Sequence, residues 1–318
     1  MTEFEFDLAD RVQKIKSINN LYNLEKNAFI SFSGGKDSTV LSKVIDLALP
    51  DNNIPRVFFN TGIEYKAIID FVKKLAENDS RFIIYNSGVN IKDMLEDKGY
   101  PFKSKEFSQK LSLYQRKGKM KTVTDYLGET GNKAKTFQCP DKLKSVFTSD
   151  FTLKVSDKCC VELKKNVSER FSEEYNRPIV MTGMRKSEGG NRKSVQGCTI
   201  FDKGKLHKFH PLLPVNDDFI DKAIHIYQIE LCSLYYPPFN FERTGCKGCP
   251  YNMKLQEQLN VMKELLPSEY KQCQNIWGKV YEEYERLNYR LVTKWDCIQK
   301  IWNLFRNLVL EVARKRKE

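Results

Sequence analysis

Apolar residues recur near helical period at Leu8, Val12, Ile15, Ile18, Leu21, Tyr22 and Leu24, which predicts an amphipathic helix over 7–26. The pattern then changes. Asn27-Ala28-Phe29-Ile30 is an apolar run of strand length, and Thr39 to Leu47 returns to helical spacing. Pro50-Asp51-Asn52-Asn53 breaks the chain, and Pro55 to Asn60 reads as a buried strand. A turn at Asn60-Thr61-Gly62 opens a helix over 64–77, and Arg81 to Tyr85 forms a further strand. Repeated strand–helix alternation implies an α/β fold with a parallel sheet, whose ligands sit at the carboxyl ends of the strands.

Beyond residue 86 the periodicity weakens. Residues 86–157 read as an insertion of helices and loops, and the sheet resumes at Arg177 to Thr182. His210-Pro211-Leu212-Leu213-Pro214 marks an extended segment, Phe219 to Leu234 a helix, and the chain from Met253 onward is helical. Trp277, Tyr281, Tyr284, Trp295, Trp302 and Phe305 form stripes that suit packing between helices rather than a cofactor box. The domain organisation expected is 1–252, with a basic insertion at about 90–157, followed by a helical region over 253–318.

Composition narrows the class. A chain of 318 residues, 41% hydrophobic and 30% charged, can bury a substantial core. No apolar run approaches the roughly 20 residues of a membrane span. The first residues are acidic rather than signal-like, so a cytoplasmic protein without a membrane partner is expected. The net charge is +12, and residues 101–170 hold 16 Lys or Arg against 8 Asp or Glu. Interspersed with Phe107, Tyr114, Tyr126 and Phe137, this block suits a nucleic acid, since phosphates need cations and unstacked bases need ring faces. Nine cysteines in such a chain argue for metal or redox chemistry over a disulfide framework.

Ser31-Phe32-Ser33-Gly34-Gly35-Lys36-Asp37-Ser38 joins the first strand to its helix. Two glycines and small hydroxyls there form an anion cradle, because unpaired backbone N–H groups meet the positive helix end. The spacing matches neither the Walker loop nor the dinucleotide fingerprint. A second cationic loop, Gly183 to Lys193, follows the resumed strand and carries Arg185 and Arg192. Cys159-Cys160 and Cys246-Lys247-Gly248-Cys249 have 85 residues between them. Four thiolates favour zinc or an iron–sulfur cluster, and adjacent cysteines suit a cluster better than a tetrahedral zinc site.

Ser33-Gly34-Gly35-Lys36-Asp37-Ser38 resembles the pyrophosphate loop of the adenine-nucleotide alpha-hydrolase superfamily. Cys-Cys followed by Gly-Cys-x-x-Cys is similar to the 4Fe-4S signature within the phosphoadenosine phosphosulfate (PAPS) reductase family. Val57 to Gly62, Thr182-Gly183-Met184-Arg185 with Glu188 and Arg192, His210 to Leu213, and Pro237-Pro238-Phe239-Asn240 agree in order over about residues 28–252. The resemblance implies a Rossmann-like parallel sheet flanked by helices, with a helical C-terminal extension. It assigns Ser33, Gly34, Gly35, Asp37, Ser38, Thr61, Gly62, Gly183, Arg185 and Arg192 to the nucleotide, and Lys36, Asp37, Lys164 and Arg185 to catalysis. Cys159, Cys160, Cys246 and Cys249 become ligands of the cluster.

Reductases of this family carry a nucleophilic cysteine in a Glu-Cys-Gly-x-His tail, whereas this chain ends Val312-Ala313-Arg314-Lys315-Arg316-Lys317-Glu318. Lys36 and Asp37 are retained as in enzymes that split ATP between its α and β phosphates; lysine suits the departing pyrophosphate and aspartate suits Mg2+. The expectation is an ATP pyrophosphatase that adenylates an acceptor for sulfur transfer, similar to the one in DNA phosphorothioation systems. Its partners would be an adenine nucleotide, a nucleic-acid acceptor and a sulfur-donor protein such as a cysteine desulfurase. Two alternatives stand beside it: a sulfonucleotide reductase using Cys139, Cys198 or Cys232, and a non-catalytic nucleotide-binding subunit.

Overall fold

The computed structural model describes residues 1–131 and 134–292, so Trp295, Cys297, Trp302 and Phe305 lie outside the described residues. Six strands are present among them: β1 Ala28–Phe32, β2 Arg56–Asn60, β3 Phe82–Asn86, β4 Ile179–Met181, β5 Thr199–Asp202 and β6 Lys205–Phe209. The helices are α1 Glu3–Tyr22, α2 Leu24–Asn27, α3 Lys36–Ala48, α4 Lys66–Asn78, α5 Ile91–Lys98 and α6 Lys105–Lys117. They continue as α7 Lys121–Leu127, α8 Asn166–Glu174, α9 Asp217–Ile226, α10 Leu255–Leu265 and α11 Pro267–Arg286. The chain divides into two compact units, Met1–Ile91 with Cys160–Lys247, and Lys92–Cys159 with the chain from Gly248.

The first unit is an α/β layer structure. Its sheet has the order β3-β2-β1-β4-β6-β5, parallel throughout except for β5, which runs antiparallel to β6. Because β1 lies between β2 and β4, the turns after all three open on one edge of the sheet. Phe29, Val57, Phe59 and Val180 pack on one face with Val167 and Phe171 of α8. Burying each large side chain contributes roughly 1.5–3 kcal/mol. Arg56 interrupts the apolar run of β2 although it is fully buried. Its guanidinium donates to Ser42 Oγ at 3.1 Å, Asn52 Oδ1 at 2.9 Å, the Ile54 carbonyl and Asp46 Oδ1 at 2.5 Å, so the buried charge is matched on every side.

Two elements differ from the periodicity. The segment ahead of His210 is a hairpin, β5–β6, closed by Lys203 and Gly204 with φ of 47° and 78°; positive φ at both central residues matches the twist of antiparallel strands. Pro211 to Pro214 then forms a turn rather than an extended run. The helix expected over 219–234 ends at Ile226, because Gln228 adopts a left-handed φ of 49°, and a short 3-10 turn follows at Ser233–Tyr235.

In the second unit, Tyr100 pairs with Val155 in an isolated parallel bridge. Phe102 packs on Phe107, Phe151 and Tyr284, with ring centroids 5.6, 5.9 and 4.7 Å away. Trp277, Tyr281 and Tyr284 are buried on α11, as the stripes predicted. Of the aromatics read as a nucleic-acid surface, Phe107 and Tyr126 are core residues, whereas Phe137 is 65% exposed. Among the described residues, no helix is long and apolar enough to cross a membrane.

Candidate functional site

The turn from β1 into α3 is built around two glycines. Gly34 has φ of 70°, and a Cβ there would come within 2.8 Å of Ile68 Cγ2 on α4. Gly35 caps α3 without a side chain. Ser33 and Ser38 face each other across the loop, their hydroxyls 3.0 Å apart, and Ser38 Oγ donates to the Gly35 carbonyl at 2.9 Å. The Lys36 ammonium lies 3.7 Å from Asp221 Oδ1 on α9 and 5.4 Å from the centre of the Tyr235 ring.

The loop after β4 closes on this turn. A Cβ on Gly183 would stand 2.5 Å from the Asp37 carbonyl oxygen, so only glycine permits the two turns to touch. Two residues on, Arg185 is buried and its Nε donates to Asp37 Oδ1 at 2.6 Å. Its Nη1 reaches Ser187 Oγ at 2.8 Å and Asp217 Oδ1 at 2.7 Å. Arg192 and Arg243 meet on Glu188, at 3.2 and 3.3 Å. Glu188 is mostly buried and also accepts from the Arg185 backbone N–H at 3.3 Å. Three guanidinium groups are thus held by carboxylates: Arg185 by Asp37 and Asp217, and Arg192 and Arg243 by Glu188.

The turn after β2 contributes Thr61 and Gly62. Thr61 N–H and Oγ1 both bond to the Glu64 carboxylate, at 2.9 and 2.8 Å, and Gly62 has φ of 81°. Behind the β4 loop, His210 Nδ1 lies 2.7 Å from Thr182 Oγ1. Burial, helped by Lys208, lowers the His210 pKa to about 4, so this imidazole is neutral near pH 7.

The four predicted cysteine ligands fall two in each unit: Cys160 and Cys246 in the first, Cys159 and Cys249 in the second. Cys246 neighbours Lys164 and Glu64. When ionised, Cys246 is the largest influence raising the Lys164 pKa, opposed by desolvation and reinforced by Glu64 and Cys160. Desolvation outweighs the pull of Lys164, so the Cys246 thiol itself is pushed up. In the second unit, Tyr281 Oη donates to the Gly248 carbonyl and Tyr284 Oη to that of Pro250 at 3.0 Å, so α11 holds the residues on either side of Cys249. Among the described residues, no group of three or more Cys, His, Asp or Glu side chains stands ready for a metal ion. Elsewhere, burial pushes the Cys139 thiol up to about 12 and also raises Cys232, which makes both weak nucleophiles. Cys198 is half-buried, and its sulfur lies 3.6 Å from Arg11 Nη1.

Ser33 to Ser38, Gly183, Arg185 and Arg192 therefore lie at neighbouring turns of the first unit, with Thr61 and Gly62 at the next. Residue patterns missed Asp217, Tyr235, Arg243 and Thr244. The only signal available was a pair of aspartates opening α9 after the Asn216 cap, and Thr244 two residues ahead of Cys246.

Residues 27–252 match the model of the phosphoadenosine phosphosulfate reductase domain. An uncharacterised protein of Methanocaldococcus jannaschii is 26% identical over 284 residues, which are 86% of this chain and 54% of that protein. The chain thus spans about half the length of this curated relative. A crystal structure of PAPS reductase from Candida auris is similar at 15% identity and TM-score 0.42, over 73% of this chain and 87% of that one. FMN adenylyltransferase from Candida glabrata, complexed with FMN and the ATP analogue AMPCPP, aligns at 13% identity and TM-score 0.44, over 77% and 66%. The U34-tRNA thiolase of Methanococcus maripaludis, solved with its 4Fe-4S cluster, aligns at 15% identity and TM-score 0.40, over 87% and 80%.

Proposed function

This chain belongs to the phosphoadenosine phosphosulfate reductase domain family, and we propose that within it the protein is an ATP pyrophosphatase that adenylates a nucleic-acid acceptor for sulfur transfer. The observation that carries this reading is Arg185, buried and 2.6 Å from Asp37, on a loop pressed against an intact Ser-Gly-Gly-Lys-Asp-Ser turn. Ser33, Gly34, Gly35 and Ser38 bind the nucleotide phosphates. Arg185 and Arg192 balance their charge, and Thr61 and Gly62 border the adenosine.

An oxygen of the acceptor attacks the α phosphorus, the bond to the β-phosphate oxygen breaks, and pyrophosphate leaves with its charge met by Lys36. Asp37 is the residue that would hold Mg2+. The terminal sulfur of a persulfide on a donor protein, such as a cysteine desulfurase, then attacks the activated atom, whose bond to the adenylate oxygen breaks so that AMP leaves. A second thiol reduces the S–S bond to the donor, freeing the thiolated acceptor and leaving a disulfide. The thiol chemistry of Cys159, Cys160, Cys246 and Cys249 suits a 4Fe-4S cluster, which when bound supplies an iron site for presenting sulfur. The ammonium of Lys164 offsets negative charge beside Cys246.

A nucleic-acid acceptor is supported by the basic block and by an open cavity of about 930 Å³ in the second unit, whose walls include Lys98, Arg116, Lys154, Lys158, Tyr114 and Phe151. The reductase alternative requires a sulfur nucleophile, for which buried Cys139 and Cys232 are poorly suited. Anaerobic incubation with ATP and mixed cellular RNA or DNA should release pyrophosphate. Release of neither pyrophosphate nor phosphate with any nucleic acid overturns the reading. Sulfite formed from a sulfonucleotide, and lost on substituting a single cysteine, establishes the reductase instead.

A further inference from the structure

The first backbone N–H groups of a helix have no partner within it, and at a glycine loop they are the groups that meet phosphate. In α3 one of them is already engaged. Lys36 N–H donates to Tyr235 Oη at 3.1 Å, and the same oxygen lies 2.7 Å from Thr244 Oγ1. Because the phenol oxygen accepts from Lys36, its own proton is available to Thr244. Burial pushes the Tyr235 pKa up, so that proton is retained. Gly35 leaves room for the arrangement: a Cβ there would come 3.2 Å from Tyr235 Oη and 3.5 Å from Thr244 Oγ1.

Thr244 stands two residues ahead of Cys246. The same segment is tied to the turn after β2, where Lys247 N–H donates to the Ile63 carbonyl at 3.0 Å. The stretch 244–247 is therefore linked to two of the three turns assigned to the nucleotide, to one through Tyr235 and to the other directly.

We propose that Tyr235 and Thr244 form a hydrogen-bonded link through which occupancy of the glycine loop sets the position of the segment bearing Cys246. The proposal rests on the reading of that loop as a nucleotide site. A phosphate arriving at α3 takes the Lys36 N–H, and Tyr235 Oη loses its donor. The phenol proton then turns from Thr244 to a phosphate oxygen, and the strut that anchored Thr244 is released. Tyr235 is a positioning residue in this scheme, acting through Lys36 and Thr244. Linkage makes the effect reciprocal: whatever fixes the Cys246 segment changes nucleotide affinity by the same factor.

The test uses the metal-stripped, reduced full chain. The rate of Cys246 alkylation by iodoacetamide is read by peptide mass spectrometry with and without saturating AMPCPP, and saturation of each variant is verified by equilibrium dialysis. In the unsubstituted protein the nucleotide should change the rate about fivefold, the ratio that one neutral hydrogen bond is worth. Y235F and T244V should lose that response at saturation, whereas T244S, which keeps the hydroxyl, should retain it. Comparison at saturation separates the link from any loss of affinity, and direct shielding of the thiol by nucleotide would persist in all variants. The proposal is overturned if Y235F and T244V keep the full response, if T244S loses it, or if the unsubstituted protein binds AMPCPP with no change at Cys246. Failure of dialysis to detect bound AMPCPP removes the nucleotide reading itself, and this link with it.

Discussion

Asp37 lies between two demands, since its carboxylate accepts from Arg185 and is also the group suited to a magnesium ion. Asp37→Ala should therefore lower pyrophosphate release by about 100-fold or more, the scale on which single electrostatic contacts act in transition states. Steady-state turnover at excess ATP checks this, and an unchanged rate removes Asp37 from the mechanism. At Gly248 the constraint is steric. With φ of 61° and Cys273 Sγ 2.7 Å from the position of an added Cβ, Gly248→Ala should cost about 2–4 kcal/mol from combined backbone strain and overpacking. Urea unfolding measures it.

His210 gives a pH signature of known sign. Unfolded histidine takes up a proton near pH 6.5, whereas buried His210 does so only at about 4. Stability is therefore lost as pH falls through that window, by up to about 3 kcal/mol, and this contribution is flat above it. His210→Asn should shallow the slope of stability against pH between 7 and 4; an identical slope in both proteins refutes the assignment.

Among the elements, β1 and α3 were legible because their apolar runs are uninterrupted and the glycine turn between them needs no distant partner. The placement of Arg185 beside that turn was legible too, since a strand that stops at Met181 and is followed at once by Gly183 and several cations marks a loop at the same end of the sheet. The β5–β6 hairpin was not. Its strands are four and five residues long and partly exposed, so their alternation is weak, and its turn depends on Lys203 adopting positive φ. Tyr235 was equally hidden, because its bond to Lys36 spans 199 positions and the Tyr235-Tyr236 pair carries no periodic pattern. The helices of the insertion and α11 fall in one compact unit, a grouping fixed by ring contacts such as Phe102 with Tyr284 that periodicity does not encode. Within β2, Arg56 supports a network that also joins Asp46 to Arg81 at 2.8 Å. Arg56→Ala should destabilise the protein by roughly 3–5 kcal/mol, because it strands buried acceptors without removing them. A thermal midpoint within a degree of the parent would show that the network contributes nothing.

At the scale of the whole molecule, charge sets the terms of partnership. With a net charge of +12, binding to a nucleic acid should weaken steeply as salt rises. Lys154→Glu with Lys158→Glu, on the cavity wall, should flatten that dependence by about two ions while nucleotide binding in the first unit is unaffected. Fluorescence anisotropy across a salt series decides the matter, and an unaltered slope excludes this wall from the interface.

The sheet also has to end somewhere. β5 forms one edge, where unpaired backbone groups are a template for strands of other molecules. The register between β5 and β6 slips between Ile200 and Phe201, and lysines stand at 203 and 205 beside the turn. An irregular row of donors and acceptors, flanked by charges that repel their own kind, offers an incoming strand no matching partner. The hairpin thereby makes this edge of the sheet a poor template for a strand from another molecule.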